Sequence, residues 1–418
     1  MANSLYLDPV QILYGPKKKI KTDSVLIIDG YISCFGNEAR DQAKVLGIPR
    51  RIVPNNLLAP PLVDPHSVLE EPINGNCENL NSLRISASKA GYGQIALLPR
   101  SKEFRDSPEK IRAFPKNKSD INIHLWGNFS HEGKGERLSP HGDLIQHGAI
   151  GLTDDDFMIN TSLLQRGFAL GEMGEVAVLI APRDKKIQGK GIFREGIDTL
   201  RAGWMHDPTA SEIIPLQQIL DLHYQFPEKS IRIMNVSTND AVQKLKNSPT
   251  KTQASVCWWH LVSDTTTLKR PECSWRVSPS LGGLDHRKAL IKGVKERILS
   301  SIAVNSIPLD EEDTQLPLEQ REPGISGHQL VLPSLWQELI VKEKFSIEQL
   351  WSALSFGPSE MIKSSYETLK IGSRRWILFD PNHYWIQSRY SKDSPKAANQ
   401  PWEGKKILGK VINTGLKA

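Results

Sequence analysis

The residues with the clearest chemical potential stand where apolar runs of the sequence end. One such run ends at Val63 and is followed by polar residues that include His66. Another, at 149–152, leads to Asp154 and two further aspartates. An abrupt change of this kind is typical of a buried parallel strand that ends at a functional face. Imidazole and carboxylate groups at such ends are metal-ligand types, although an aspartate there also suits a turn or a helix N-cap.

The segment from 60 to about 360 supplies the elements that would position these side chains. Short apolar runs alternate with segments such as 211–225, where Ile213, Leu216 and Leu220 recur at helical spacing. The candidate strands, besides the run before His66, are 94–98, 121–125, 149–152, 176–180, 231–234 and 302–304. Repeated strand-helix units predict an α/β fold, a (β/α)8 TIM barrel over residues 61–360.

Both ends of the chain have a different, β-rich pattern. Near the N-terminus, Asp29-Gly30 separates two strand-like runs, which is a strong hairpin signal. Near the C-terminus, strand-like runs at 375–379, 384–386 and 410–415 are separated by turn residues. We therefore predict a small β-sandwich domain formed from residues 1–60 and 361–418. The segment 307–328, rich in Pro, Asp, Glu and Gln, is predicted to be a long exposed loop over one barrel face.

Composition argues against several functional classes. Of the 418 residues 39% are hydrophobic and 24% charged, and no run approaches the ~18 apolar residues that span a bilayer. The N-terminus shows no secretory signal, so a soluble, cytoplasmic protein is expected. A net charge of +6 without a nucleic-acid motif is more typical of solvated faces, so neither nucleic acid nor membrane is expected as a partner. Cys34, Cys77, Cys257 and Cys273 form no C-x-x-C pair and are predicted to be buried thiols.

Several short segments, in order along nearly the whole chain, match one enzyme family. The matching segments are Leu62-Val63-Asp64-Pro65-His66, 90–93, 148–155, Val236-Ser237-Thr238, 259–261, 276–279, 323–327, 356–359 and 399–404. Together they resemble the type I dihydroorotases of the amidohydrolase superfamily. That family opens a dihydropyrimidine ring, or closes it from carbamoyl aspartate, with a metal-activated hydroxide. The resemblance therefore implies a barrel whose strand ends would hold zinc.

The resemblance identifies six positions that carry metal ligands or the catalytic aspartate in the family, and only two keep such a residue here. His66 takes the first histidine of a His-x-His pair, Val68 the second, Asp154 an aspartate, Ala181 and Asn235 two further histidines, and Asn305 the catalytic aspartate. One imidazole and one carboxylate do not supply the three protein ligands usual for catalytic zinc. Asparagine at 305 cannot take the proton from an attacking water. No catalytic residue and no zinc or other cofactor are expected, with His66 and Asp154 as weak metal candidates.

The positions that would bind the substrate differ as well. The family's carboxylate-binding arginine corresponds to Glu70, its asparagine to Arg100, and another arginine to Gly282. A carboxylate at 70 repels the anion that an arginine would attract. His260, in the Trp259-His260-Leu261 match, corresponds to a packing position. We therefore predict a remnant pocket at the barrel mouth, lined by His66, Glu70, Arg100, Asp154, Asn235 and His260.

Two functions remain open at this point. The first is a catalytically inactive dihydroorotase homologue, or pseudoenzyme, in pyrimidine biosynthesis. Such a protein would act by assembly with itself or with a pathway enzyme such as aspartate transcarbamoylase. The second is a cyclic-amide hydrolase with an altered metal site or altered substrate, using Asp154, His66 and Arg100 and requiring zinc. Bound metal together with hydrolysis of a cyclic amide would favour the second, and co-purification with a transcarbamoylase would favour the first.

Overall fold

Seventeen strands and fifteen α-helices are present in the computed structural model, which describes residues 4–102, 104–115, 119–268 and 275–417. The strands are β1 (Leu5–Ile12), β2 (Lys21–Ile28), β3 (Tyr31–Phe35), β4 (Arg50–Arg51), β5 (Leu57–Ala59), β6 (Leu62–Ser67), β7 (Tyr92–Leu97), β8 (Asn122–Asn128), β9 (Ala149–Thr153), β10 (Ala177–Ile180), β11 (Phe193–Arg194), β12 (His206–Asp207), β13 (Ser230–Ile233), β14 (Gln253–Cys257), β15 (Ser301–Ala303), β16 (Ile377–Ile386) and β17 (Lys406–Thr414). The helices are α1 (Gly36–Val45), α2 (Leu80–Ala90), α3 (Pro108–Arg112), α4 (His141–Gln146), α5 (Thr161–Leu170), α6 (Lys185–Gln188), α7 (Ile197–Ala202), α8 (Ala210–Gln225), α9 (Asn239–Asn247), α10 (Trp259–Val262), α11 (Leu284–Lys295), α12 (Glu311–Gln315), α13 (His328–Leu335), α14 (Ile347–Trp351) and α15 (Gly357–Met361).

Eight parallel strands form a nearly closed barrel, in the order β15-β14-β13-β10-β9-β8-β7-β6. β6, β7 and β10 are buried along their whole length, because helices cover the outside and packed side chains fill the inside. Apolar residues that include Val63, Ala96, Trp126, Leu179 and Met234 form one buried cluster. The predicted (β/α)8 barrel is confirmed.

One buried carboxylate joins the first and last strands of the barrel. Asp64 in β6 is inaccessible to solvent, and its Oδ1 accepts a hydrogen bond from the backbone N of Val304 at 3.1 Å. Its Oδ2 accepts from Ser67 Oγ at 2.5 Å and from His328 Nε2 at 3.2 Å. Backbone hydrogen bonds from Asn305 N to His66 O and from Val68 N to Ser306 O complete this junction between β6 and the residues after β15, which we call the seam. Closure thus depends on a side chain as well as on backbone pairing.

Strands from both ends of the chain form a second, seven-stranded sheet. Its order is β17-β16-β5-β1-β2-β3, with β4 paired to β1. Leu57 of β5 pairs with Phe379 of β16, so the sheet joins distant parts of the sequence. The predicted hairpin forms at Asp29-Gly30, where both residues have a positive φ. The β-domain built from both ends is therefore present, beside the barrel.

Two further sequence predictions can be compared with the described residues. The segment 307–328 contains the short helix α12 and has buried residues at both ends, including Ile307 and Ile325, so it is less exposed than expected. Cys34 and Cys257 are buried free thiols and Cys77 is half-buried, whereas Cys273 lies outside the described residues. No helix in the described ranges is long and apolar enough to cross a membrane.

The seam predicts a large effect for one substitution. Replacing Asp64 by Ala leaves the buried Val304 N–H and the Ser67 and His328 side chains without their acceptor. We expect the free energy of unfolding to fall by roughly 3 kcal/mol or more. Urea denaturation measures it, with Asp41→Ala on exposed α1 as the control that changes little. Equal stability of the two variants would show that the seam does not need the carboxylate.

Candidate functional site

The first retained residue, His66, lies near the carboxyl end of β6 with both ring nitrogens hydrogen-bonded. It is fully buried, its Nδ1 donates to Asn305 Oδ1 at 3.0 Å, and its Nε2 accepts from Ser255 Oγ at 2.9 Å. Burial lowers the pKa of His66, although the Asp64 carboxylate opposes the shift. The imidazole is therefore neutral, and its single lone pair is already used by Ser255.

The second retained residue, Asp154, follows β9 and organises a neighbouring loop. Its Oδ1 accepts from the backbone N of Ser130 at 2.8 Å and its Oδ2 accepts from Ser130 Oγ at 2.5 Å. Burial raises the pKa of Asp154 above its usual value. These bonds are structural, but they reach a loop 24 residues earlier in the chain and are not the local turn or helix N-cap contacts that the sequence suggested as the alternative.

The substituted positions divide into apolar and amide groups. Val68 and Ala181 are buried in the same apolar cluster as Ile307. Asn235 and Asn305 are buried after β13 and β15 with φ of 57° and 46°, left-handed conformations that asparagine tolerates better than most residues. The side-chain amide of Asn235 has no hydrogen-bond partner among the described residues.

These donor groups do not fit the zinc that the resemblance implies. Val68 and Ala181 have no donor atom, His66 uses both nitrogens, and both oxygens of Asp154 are bonded to Ser130. Amide side chains such as Asn235 are poor ligands for a borderline cation. Among the described residues, the group of His, Cys, Asp and Glu side chains close enough to share an ion lies elsewhere, at Cys77, Asp310 and Asp313.

Two of the three substituted substrate-binding positions, Glu70 and Arg100, bind each other. Arg100 Nε donates to Glu70 Oε1 at 2.9 Å, in an ion pair that is partly exposed at the barrel mouth. Burial lowers the pKa of Arg100, but Asp155, Glu70 and Asp156 outweigh it, so the pKa is raised overall. The structure thus directs the Arg100 side chain to Glu70.

His260 lies in the packed interior beyond β14. Its Nε2 donates to the carbonyl oxygen of Ser280 at 3.4 Å, and its Nδ1 has no partner among the described residues. Burial lowers the pKa of His260 to about 3, so the ring is neutral. It lies against Trp259, which is fully buried. These contacts agree with the packing role expected from the resemblance.

The Val236-Ser237-Thr238 segment is held by a buried carboxylate in α8. Glu212 accepts hydrogen bonds from the backbone N and the hydroxyl of both Ser237 and Thr238. Arg194 is paired with Glu212 at 2.9 Å and with Asp207 at 3.1 Å, and all three charged groups are buried. These bonds thus fix the backbone just after Asn235.

Sequence reasoning missed a group of charged residues at the centre of the mouth. Asp156, which follows β9, accepts at Oδ2 from Arg183 Nη1 at 3.1 Å and from Ser278 Oγ at 2.7 Å. Arg183 also donates to Ser278 Oγ, and it is 3% exposed. Two signals were in the sequence. Asp156 belongs to a run of three aspartates, and Arg183 lies two residues after a mapped ligand position.

Asp155, the middle aspartate of that run, has an unusual environment. Its φ is 72°, and burial together with the Asp156 carboxylate raises its pKa to about 7, against the opposing charges of Arg100, Lys185 and Arg183. A carboxyl group with such a pKa can exchange a proton near neutral pH. Asp155 therefore has acid-base potential at the barrel mouth.

Comparisons with known proteins agree with the family resemblance. The chain is 29% identical over 392 residues to a dihydroorotase-like protein of Synechocystis sp., covering 86% of this chain and 88% of that protein. It is 25% identical over 399 residues to the dihydroorotase of Ruminiclostridium cellulolyticum, covering 93% and 91%. No protein-family model matches.

Solved structures with the same fold include cyclic-amide hydrolases. The L-hydantoinase of Arthrobacter aurescens superimposes with a TM-score of 0.77 at 14% identity, covering 99% of this chain and 94% of that one. The dihydropyrimidinase of Brevibacillus agri superimposes with a TM-score of 0.73 at 17% identity, covering 99% and 93%. The chain is thus dihydroorotase-like in sequence and has the hydantoinase type of barrel with a β-domain.

The raised pKa of Asp155 predicts how stability depends on pH. The folded chain keeps a proton that the unfolded chain releases once the pH exceeds the ordinary aspartate value of 3.8. The contribution of Asp155 to stability therefore falls as the pH rises from about 4 to about 7, and it is constant above that range. In Asp155→Asn this loss is absent, and asparagine tolerates the positive φ.

The measurement is the melting temperature of wild type and Asp155→Asn between pH 5 and pH 8. We expect the melting temperature of Asp155→Asn to rise relative to that of wild type as the pH rises. The melting temperature of the exposed Asp41→Asn variant should differ from that of wild type by a constant amount. A constant difference for Asp155→Asn would contradict the raised pKa.

Proposed function

We propose that this protein is a catalytically inactive dihydroorotase homologue that acts by association with other proteins in pyrimidine biosynthesis. The observation that carries the proposal is that the nitrogens of His66 and the carboxylate oxygens of Asp154 are hydrogen-bonded inside the protein, while Val68 and Ala181 are buried in an apolar cluster. A metal-dependent hydrolytic site needs free ligands and an open position for water. The proposal keeps the cytoplasmic location expected from the sequence.

The outer helices support the association part of the proposal. α5 and α8 lie side by side, joined by hydrogen bonds from Thr161 Oγ1 to Gln218 Oε1 and from Gln165 Nε2 to Gln225 Oε1. On these helices Leu170, Ile214 and Tyr224 are exposed by 62%, 49% and 69%. Ile214 and Tyr224 line one groove between α8 and α9, and exposed apolar side chains of this kind are common at protein interfaces. The proposed partner is a second copy of the chain or aspartate transcarbamoylase.

A second candidate function is favoured by Asp155. A carboxyl group with a pKa of about 7, close to Arg100 and Lys185, has the properties of a general acid or base. A cyclic-amide hydrolase with altered chemistry would use that group in place of Asn305. The two proposals differ in one readout, because Asp155→Asn would abolish any hydrolysis while leaving association unchanged.

The proposed lack of catalytic activity predicts the outcome of a direct assay. Purified protein should not open dihydroorotate, because the positions that carry the zinc ligands and the catalytic aspartate in the family offer no free group to bind and deprotonate the attacking water. Ring opening is followed by absorbance, with and without added zinc. A matched variant restores the family residues together, as Val68→His, Glu70→Arg, Ala181→His, Asn235→His and Asn305→Asp. Enzyme-like turnover by the unmodified protein would overturn the proposal.

The proposed association predicts the effect of a substitution on the surface of α8. Ile214→Glu with Tyr224→Glu should weaken association, because burying an unpaired carboxylate in an apolar interface is costly. Analytical ultracentrifugation measures it for the protein alone and mixed with aspartate transcarbamoylase. Val45→Glu, at a side chain 85% exposed on α1, is the control that should not change. Wild-type protein that stays monomeric and binds no transcarbamoylase would contradict the proposal.

A further inference from the structure

We infer that Arg183 is a built-in cation that joins the strand ends at the barrel mouth, where the resemblance implies a metal ion. The inference rests on the proposed loss of metal chemistry and not on the proposed association. It concerns a hydrogen-bonded series of five residues, His66, Asn305, Ser278, Asp156 and Arg183, which we call the mouth chain.

The mouth chain is continuous from one side of the barrel to the other. His66 Nδ1 donates to Asn305 Oδ1 at 3.0 Å, and Asn305 Nδ2 donates to the carbonyl oxygen of Ser278 at 3.5 Å. Ser278 Oγ donates to Asp156 Oδ2 at 2.7 Å. Arg183 Nη1 donates to the same carboxylate oxygen at 3.1 Å and also to Ser278 Oγ. The charged pair thus stands at one end of a polar path that begins at the first ligand position.

A branch of the mouth chain reaches two more strands. Ser255 of β14 donates to His66 Nε2 at 2.9 Å and accepts from the backbone N of Asn235 at 3.0 Å. With this branch, the hydrogen bonds connect residues in or just after β6, β9, β10, β13, β14 and β15. A metal ion bound by residues from several strands would hold the same ends together. In this chain the connection is made by protein groups alone.

Arg183, the cation of the mouth chain, carries a permanent charge and is buried. The side chains of Arg183 and Asp156 are 4% and 14% exposed. A guanidinium group stays protonated in proteins and offers donors in a fixed planar fork, so it can bind a carboxylate and a hydroxyl at once. Its charge offsets that of Asp156 in a region from which water is largely excluded. Removing one partner leaves the other charge buried and unpaired.

Several buried polar atoms at the mouth have no hydrogen-bond partner, so the arginine replaces the bonding of a metal ion only in part. Among the described residues, Arg183 Nε, Asp156 Oδ1 and both amide atoms of Asn235 make no hydrogen bond although they are buried. A site shaped from the start without metal would satisfy more of these groups. Unpartnered atoms on the ion pair itself and on Asn235 fit a mouth in which an arginine supplies the positive charge in place of a metal ion.

The first experiment compares the protein with and without divalent metal. If Arg183 supplies the cation, excess chelator and added zinc each leave the melting temperature of wild type unchanged, and elemental analysis of native protein finds no stoichiometric metal at the mouth. The inference is overturned if chelator lowers the melting temperature and zinc restores it.

The second experiment is a double-mutant cycle on the ion pair. Arg183→Met should raise the unfolding equilibrium constant roughly a hundredfold or more, because Asp156 is left buried without its counter-charge. Arg183→Lys should recover part of the loss. Arg183→Met combined with Asp156→Leu should be more stable than Arg183→Met alone, since no unpaired charge remains. Arg112→Met, in a surface pair with Glu109, is the control with little effect.

A local readout separates joining of the strand ends from general packing. In Arg183→Met, amide hydrogen exchange should accelerate at 234–237 and 303–306 before the rest of the barrel. If Arg183→Met does not fold, Arg183→Lys and the double variant are measured in the same way. Uniform exchange, or a double variant no more stable than the single one, would overturn the inference. A protein that is monomeric in solution but behaves as described would contradict only the proposed association.

Discussion

Burial of polar groups at the ends of the barrel strands is the constraint on which the rest of the structure depends. A backbone or side-chain polar atom that water cannot reach needs a partner within the protein. At this mouth the partners are side chains of the chain itself: Asp64 across the seam, Asp154 under Ser130, and Glu212 under the loop that follows β13. The carboxylates that an enzyme of this fold could direct at a substrate are here directed at the scaffold.

The same constraint explains why the substituted positions are compatible with a stable fold. Val68 and Ala181 place apolar atoms at positions where the resemblance implies metal-binding histidines. Both side chains belong to a buried apolar cluster. Burial of apolar surface stabilises the fold without any need for a partner. Asn305 is hydrogen-bonded to His66 through its amide oxygen, so this position contributes a hydrogen bond without adding a buried charge.

The architecture could be predicted from the sequence because it depends on periodic patterns. Strand-helix alternation and the hairpin at Asp29-Gly30 correspond to features of the structure, whereas β14 was missed because its five residues include Gln253 and Ser255 and are not continuously apolar. The site was harder to predict. The pairing of Arg100 with Glu70 and of Arg183 with Asp156 joins residues from different strand ends, and no local pattern encodes which charges meet across a barrel.

The sheet that combines both ends of the chain has a consequence for the order of events during synthesis. β5 pairs on one side with β1 and on the other with β16, through partners such as Leu57 and Phe379. The ribosome releases Leu57 long before Phe379 has been made, so one edge of β5 stays unpaired while the whole barrel emerges. Contacts between such distant residues form slowly, and an exposed edge invites pairing with another nascent chain. The N-terminal strands should therefore be the part of this protein that most needs a chaperone.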